Sequence, residues 1–427
     1  MLKTGDSGVR EMKKIKVITL FTGIGAQEAA LKRLEIDYEV VGISKIDKYA
    51  IQSYEAINGS TYNYGDITKI PMLDYADLWT YSSPCQDFST AGKQQGIRNS
   101  DGSLTRSGLL LHVERLLVDS VIRGDNPKYL LMENVKGLVN KKFKPDFDRW
   151  LERLEQLGYN NYWQVLNAKD YGVPQNRERV FVVSIRKDVD TKGYKFPEKI
   201  PLVKRLKDVL ESVVDEKYYL SDKIIKGFFK KIERNKNKPN GFNRSINVSN
   251  VNNVSSTITA RYWKCGITDP YIPVICASRG RNPDNPSDRT TGAPTEQRLE
   301  INQTGCTNTI TTVQKDNYVI EPRIIQVGNI VQTDSFGGNP QRGHVYSAEG
   351  CSPALNTMQG GGLEPKITEN LRIRKLIPRE CWRLMGFTDV EFDCAQMSGI
   401  SNTQLYKQAG NSIVVDVLVG IFKELLS

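Results

Sequence analysis

Short apolar runs and amphipathic stretches alternate through the first half of the chain. Lys16 to Phe21, Tyr38 to Ile43 and Leu78 to Tyr81 read as strands, and Ala26 to Leu34 and Lys48 to Ile57 between them carry the helical period. Lys128 to Met132, Trp163 to Leu166 and Val180 to Ile185 are further strands, with Phe147 to Leu157 helical between the first two. Strands that alternate with helices predict βαβ units and a parallel sheet covered by helices. In such an open sheet, ligands sit beyond the carboxyl ends of the strands. A glycine turn, the pair Pro84-Cys85, and Glu133 each follow a strand, so the pattern predicts that they converge on one cleft.

From about residue 195 Asn, Thr, Gly, Pro and Arg rise, apolar runs shorten and the helical period fades, which predicts a second domain. It contains a three-fold echo, Val254 to Thr259, Cys306 to Thr311 and Cys351 to Asn356, best read as a recurring β-turn-β element with no binding role. The helical period returns in Pro378 to Met385, and Val414 to Leu425 reads as a closing helix, so the chain is expected to return to its first domain. The expected organisation is a tail (1–14), a first domain (15–194), an inserted domain (195–365) and a returning segment (366–427).

The 427 residues suffice for about two domains, and 39% hydrophobic with 25% charged residues describes a soluble globular protein. The excess of 59 Lys and Arg over 49 Asp and Glu gives +10, which suits a polyanionic partner without proving one. Seven cysteines without a Cys-x-x-Cys, and only His112 and His344, support neither a disulfide framework nor a zinc site. Residues 1–14 lack the apolar core of a signal peptide, and no uncharged run of about 18 apolar residues occurs. A cytoplasmic, metal-free protein that does not span a membrane is expected.

The candidate chemistry lies in five signatures in fixed order: Phe21-x-Gly23-x-Gly25, Pro84-Cys85, Glu133-Asn134-Val135, Gln175-x-Arg177-x-Arg179 and Gly410-Asn411-Ser412. Each alone is weak; a glycine turn is often only a turn, and a free cysteine is most often a small buried hydrophobe. Together, over residues 15 to about 190 and 370 to 424, the sequence closely resembles the DNA cytosine-5 methyltransferase family of bacterial and phage type. The resemblance implies a Rossmann-like S-adenosylmethionine-dependent methyltransferase sheet with a smaller inserted target-recognition domain. It further implies double-stranded DNA as the substrate, and a monomeric enzyme is expected.

C5 of cytosine is a poor nucleophile, and attack by a thiolate at C6 converts the ring to an enamine that takes a methyl group from a sulfonium. By resemblance Cys85 supplies the thiolate and Glu133 is the acid on the base edge. Arg179 then steadies the ring carbonyl, while Arg177 and Gln175 organise the loop around Cys85. The resemblance carries the donor contacts onto Phe21, Gly23, Ile24, Gly25, Ile46, Asp66, Ile67, Pro84, Leu109, Asn411 and Ser412. Extrusion of the base from the duplex is expected. Gln86 and Ser89 beside the nucleophile, Lys230, Lys231 and Arg234 in a basic run, and Arg279 and Arg281 in a Gly/Pro/Asn-rich region are the expected DNA contacts.

One residue departs from the pattern. Lys45 stands where the family places an acid that accepts from the donor's ribose hydroxyls, and a lysine ammonium only donates. Three readings remain open: weakened binding of the ordinary donor, a modified donor such as carboxy-S-adenosylmethionine, or a DNA-binding relative that no longer turns over. Methylation of tRNA is the other rival; the Cys-Phe-Thr signature of that branch is absent, and the long insert favours DNA.

Overall fold

The computed structural model describes residues 14–84, 106–236, 249, 253–273, 275–281, 296–301, 318–319 and 373–426. The chain forms two compact units, Met1–Val203 with Trp382–Ser427, and Lys204–Cys381.

The first unit begins with β1 (Ile15–Leu20), α1 (Ala26–Arg33), β2 (Tyr38–Ser44), α2 (Lys48–Asn58) and β3 (Leu78–Tyr81). It continues with α3 (Leu110–Arg123), β4 (Tyr129–Val135), α4 (Lys144–Gln156), β5 (Tyr159–Asn167) and β6 (Glu178–Arg186). Its six-stranded sheet has the order β2-β1-β3-β4-β6-β5, so the chain moves outward from β1 to β2 and then crosses back to β3 on the other side. This is the open α/β sheet that the alternation predicts, in the Rossmann-like form that the resemblance implies, and the reversal opens a crevice at the carboxyl ends of β1 and β3. Every residue of β3 is buried, as expected for a strand covered on both faces. Ile18, Leu20, Trp79, Leu116 and Phe147 belong to the core beneath it.

The strand β6 breaks the parallel order by pairing antiparallel with both β4 and β5. That reversal brings the beginning of β6 to the carboxyl end of β4, where Val135 stands opposite Arg179. The Gln-x-Arg-x-Arg run therefore arrives at the same edge of the sheet as Glu133.

The second unit holds α5 (Asp222–Lys236), β7 (Tyr271–Pro273), β8 (Ile275–Arg281), β9 (Glu296–Ile301), β10 (Tyr318–Val319) and β11 (Ile373–Lys375). Strands β10, β8 and β9 form one antiparallel sheet, and β11 pairs antiparallel with β7. Ile225 and Phe228 of α5 are buried with Leu220, Ile267 and Tyr271. Of the three echoed segments, Cys306 to Thr311 and Cys351 to Asn356 lie outside the described residues; Val254 to Thr259 forms no strand, only a single bridge at Ser255.

Helix α6 (Pro378–Arg383) leads the chain back, and α7 (Asp389–Met397), α8 (Asn402–Asn411) and α9 (Val415–Leu426) follow in the first unit. Helix α9 packs against α1, and α7 against α2. Among the described residues no helix is long and apolar enough to cross a membrane.

Within the second unit Arg374 grips Glu380 with two hydrogen bonds of 2.9 Å, and Glu380 is fully buried. The same carboxylate accepts from the backbone amides of Glu211 and Ile377, both at 2.8 Å. A buried charge left without its partner is costly. Glu380→Ala is expected to destabilise this unit against unfolding by about 3–5 kcal/mol, read from denaturant titration; a loss under about 1 kcal/mol would place the pair among ordinary surface ion pairs.

Candidate donor cleft and catalytic edge

The glycine turn leaves β1 under strain. Phe21 takes a left-handed backbone conformation with φ 57°, rare outside glycine and asparagine, and Gly25 follows at φ 92° as the N-cap of α1. A Cβ on Gly25 would lie 2.4 Å from Nδ2 of Asn58, so both conformation and space require glycine there. Gly23 differs: a Cβ there would meet no atom of the described residues within 4 Å. Among the described residues the missing side chain at Gly23 thus leaves open space against the backbone, which suits close approach of a ligand. Ile24 between them is buried.

Past β2, Lys45 is clipped by its backbone: its amide donates to Oδ1 of Asn63 at 3.1 Å and its carbonyl accepts from Nδ2 at 3.0 Å. Asn63 also accepts from the Gly65 amide at 2.9 Å, joining the end of β2 to the Gly65-Asp66 turn, a role with no signature in sequence. The half-buried Lys45 side chain has no ion pair or hydrogen bond among the described residues. Burial lowers its pKa, opposed by the charge of Asp47 and assisted by that of Lys407. Ile46 next to it is 74% exposed, an unusual position for isoleucine that leaves an apolar surface beside the turn.

Among the described residues no neighbouring acid stands in for the one that Lys45 replaces. Asp47 caps α2 through the amides of Tyr49 and Ala50, and its other oxygen pairs with Lys407 at 2.7 Å. Burial alone would raise its pKa, but the Lys407 hydrogen bond and charge, with those two amides, hold it below the ordinary value. Asp66 accepts through Oδ1 from the amide and hydroxyl of Thr68 at 3.0 and 2.9 Å, which hold its pKa down and cap the 3-10 turn Ile67–Lys69. Its Oδ2 is unengaged among the described residues, and Ile67 is buried behind it. Leu109 packs half-buried against the core of the first unit.

At the catalytic edge, Asn134 carries the join between strands. Its Nδ2 donates to the carbonyl of Ser83 at 3.2 Å and to its hydroxyl at 3.3 Å, and its Oδ1 accepts from Val135. The backbone entering Pro84 is thereby fastened to the strand that bears Glu133. Cys85, Gln86 and Ser89 lie outside the described residues. Glu133, largely buried, pairs through Oε1 with Nε of Arg179 at 3.1 Å. A carboxyl group able to accept, or when protonated to donate, then stands beside a guanidinium that only donates, a combination suited to the polar edge of a planar ring.

Gln175 and Arg177 tie in the returning segment. Nε2 of Gln175 donates to the Leu384 carbonyl at 2.8 Å, and Nη2 of Arg177 donates to the carbonyls of Gly410 and Ser412 at 3.0 and 2.8 Å. These bonds hold the returning segment; the loop around Cys85, which the two residues are expected to organise, lies outside the described residues. Asn411 is exposed at the end of α8, and Ser412 is buried where Arg177 reaches it.

In the second unit Lys230, Lys231 and Arg234 are exposed on α5. Arg279 and Arg281 stand on β8, opposite Arg298 and Glu296 of β9. Among the described residues no group of three or more His, Cys, Asp or Glu is placed to hold a metal ion.

Comparison with known proteins bears on these placements. The family model for C-5 cytosine-specific DNA methylase matches residues 15–427. The chain is 33% identical to the orphan methyltransferase M.SPRI of Bacillus phage SPR, over 97% of this chain and 98% of the relative. It is 31% identical to the putative type II methyltransferase M.BsuMIIP of Bacillus subtilis, again over 97% and 98%. The solved structure of Entamoeba histolytica methyltransferase EhMeth shares the fold, with a TM-score of 0.60 and 17% identity over 97% of this chain and 99% of that one. The sheet is thus the Rossmann-like sheet of S-adenosylmethionine-dependent methyltransferases. By a family match that runs from β1 to the last residue, the chain belongs to the C-5 cytosine-specific DNA methylase family and is a DNA cytosine-5 methyltransferase.

Proposed function

We propose that this enzyme methylates C5 of a cytosine flipped out of double-stranded DNA, through a covalent bond between Cys85 and C6, with S-adenosylmethionine as donor. The observation that carries the reading is the Glu133–Arg179 pair, held beside the backbone that Asn134 fastens to Ser83. The pair keeps both groups partnered until a cytosine edge takes its place. Glu133 then meets N3 and the exocyclic amine, and Arg179 the ring carbonyl.

The thiolate of Cys85 adds to C6, and electron density moves toward N3, where Glu133 stabilises it. C5 gains the methyl group and then gives its proton to a base, and the C6–S bond breaks to restore the ring and the thiolate. The donor supplies an electrophilic methyl on a sulfonium. The open backbone at Gly23, exposed Ile46 and the unengaged oxygen of Asp66 are the features of this chain that suit its methionine end and its adenine. The role of Arg177 is to hold the Gly410 to Ser412 segment against that cleft, and Gln175 anchors the same returning chain at Leu384. In this reading the Lys204–Cys381 unit selects the target, with Lys230, Lys231 and Arg234 on phosphates and Arg279 and Arg281 toward guanine edges, and the enzyme acts as a monomer.

A second reading of the donor rests on one observation, the Lys45 ammonium that no described residue pairs. A donor with a carboxylate on the transferred carbon, such as carboxy-S-adenosylmethionine, would add a negative charge to the cleft and leave carboxymethylcytosine.

Two measurements test these assignments. Cys85→Ser is expected to abolish covalent trapping on duplex DNA containing 5-fluorocytosine, because serine is far harder to ionise than cysteine near neutral pH; trapping at the unaltered level would remove Cys85 from the reaction. Lys45→Glu is expected to bind S-adenosylmethionine roughly tenfold more tightly by restoring a charge-assisted hydrogen bond to the ribose. In direct competition, product mass should show methyl transfer favoured further in the variant. An unchanged ratio of the two products between variant and natural protein would end the carboxylated-donor reading.

A further inference from the structure

Beneath the glycine turn lies a carboxyl group that the reaction, as derived above, does not use. Glu28 sits in the first turn of α1 with no exposed surface. Its Oε1 accepts from the hydroxyl of Thr19 on β1 at 3.3 Å and from the hydroxyl of Tyr54 on α2 at 3.0 Å. Three elements that frame the turn therefore meet on one oxygen. Its Oε2 is buried with no hydrogen-bond partner among the described residues, and it lies 3.5 Å from where a Cβ on Gly25 would stand. The unmatched oxygen thus points to the underside of the turn whose upper side is open at Gly23.

We infer that Glu28 is a positioning residue for the donor: its carboxyl is neutral in the donor-free protein and releases its proton to solvent when a cationic donor seats above the glycine turn. The inference rests on the proposed donor. A neutral carboxyl leaves Oε2 without an acceptor, and an ionised one leaves a buried charge without a countercharge; a sulfonium above the turn resolves the second case. Glu28 is fully buried, so its attraction to a nearby cation is weakly screened by solvent.

The groups that face Glu28 are consistent with this. From β1 and α2 come the hydroxyls of Thr19 and Tyr54, from β2 the phenol of Tyr38, and from its own helix Lys32, whose ammonium is hydrogen-bonded to Asn58 at 2.8 Å. Burial raises the carboxyl's pKa, against the lowering effects of its own backbone amide, Tyr54, Thr19 and Lys32. The Asp47 carboxylate is already paired with Lys407, and Lys45 supplies no negative charge, which leaves Glu28 as the buried carboxyl beside the turn among the described residues.

Proton linkage tests the inference without reference to turnover. Calorimetric titration with S-adenosylmethionine in buffers of different ionisation enthalpy, across about pH 6 to 9, is expected to show net release of up to ~1 proton per donor. Affinity should tighten by up to ~10-fold per pH unit between the carboxyl's pKa values in the two states. Glu28→Gln should lose that component, and the difference between the proteins isolates Glu28 from the donor's own ammonium. S-adenosylhomocysteine, which keeps the ammonium but lacks the sulfonium, should release fewer protons from the natural protein, a comparison that stands even if the variant does not fold. Equal proton release by natural protein and variant, or by the natural protein with both compounds, would overturn the role of Glu28. No binding of S-adenosylmethionine to the natural protein would overturn the donor assignment itself, and this role with it.

Discussion

The guanidinium of Arg177 holds together parts of the chain more than two hundred residues apart. It is almost wholly buried, has donors and no acceptor, and so requires carbonyl or carboxylate oxygens within reach. It finds them at Gly410 and Ser412, 233 and 235 residues later. The last carbonyls of a helix have no partner within it and carry the negative end of its dipole, so the end of α8 is a natural acceptor for a buried cation. Gln175 adds a second tie at Leu384. These bonds fix the end of α8 beside the sheet, while Lys407 and Gln408 tie the same helix to α2; without its carbonyls the guanidinium would be a buried charge without a partner.

Arg177 can make that contact because β6 runs antiparallel. In an all-parallel sheet the residues before β6 would emerge at the amino ends of the strands, away from the glycine turn, Pro84 and Glu133. The reversal places Arg179 beside Glu133 and Arg177 one strand residue-pair earlier, at the edge where the chain returns. One change of strand direction therefore serves both the base-recognising pair and the closure of the unit. Asn134 and Asn63 do the same locally, each joining two loops at that edge by bonding to both.

The alternation of strands and helices was legible because burial on both faces of the sheet leaves short continuous apolar runs, as in β3 and β6. It was less legible where polar residues bond within the structure. Strand β5 runs Tyr159–Asn167, far longer than the apolar run Trp163 to Leu166, because Asn160 and Tyr162 bond to Asp190 and Asn161 to the Leu151 carbonyl. Helix α3 is passed over by the strand argument although Leu110, Val113, Leu116 and Leu117 keep the helical period. At the site, Glu133, Arg179 and the glycines stand out by motif, whereas the carbonyls of Leu384, Gly410 and Ser412 that accept from Gln175 and Arg177 leave no trace in residue type. Glu28 was hidden for a related reason: a glutamate in the first turn of a helix is commonplace, and only its burial and its unmatched oxygen mark it out.

The central claim is that these residues together place a methyl group on C5 of cytosine in DNA at one sequence. Bisulfite sequencing of plasmid DNA from cells that express the chain, with the modified nucleoside identified by mass, tests it most directly. The account predicts 5-methylcytosine at one cytosine of a recurring short sequence, and complete conversion in DNA from cells expressing Cys85→Ser. Complete conversion with the natural protein, or modification on another atom of the base, would contradict it.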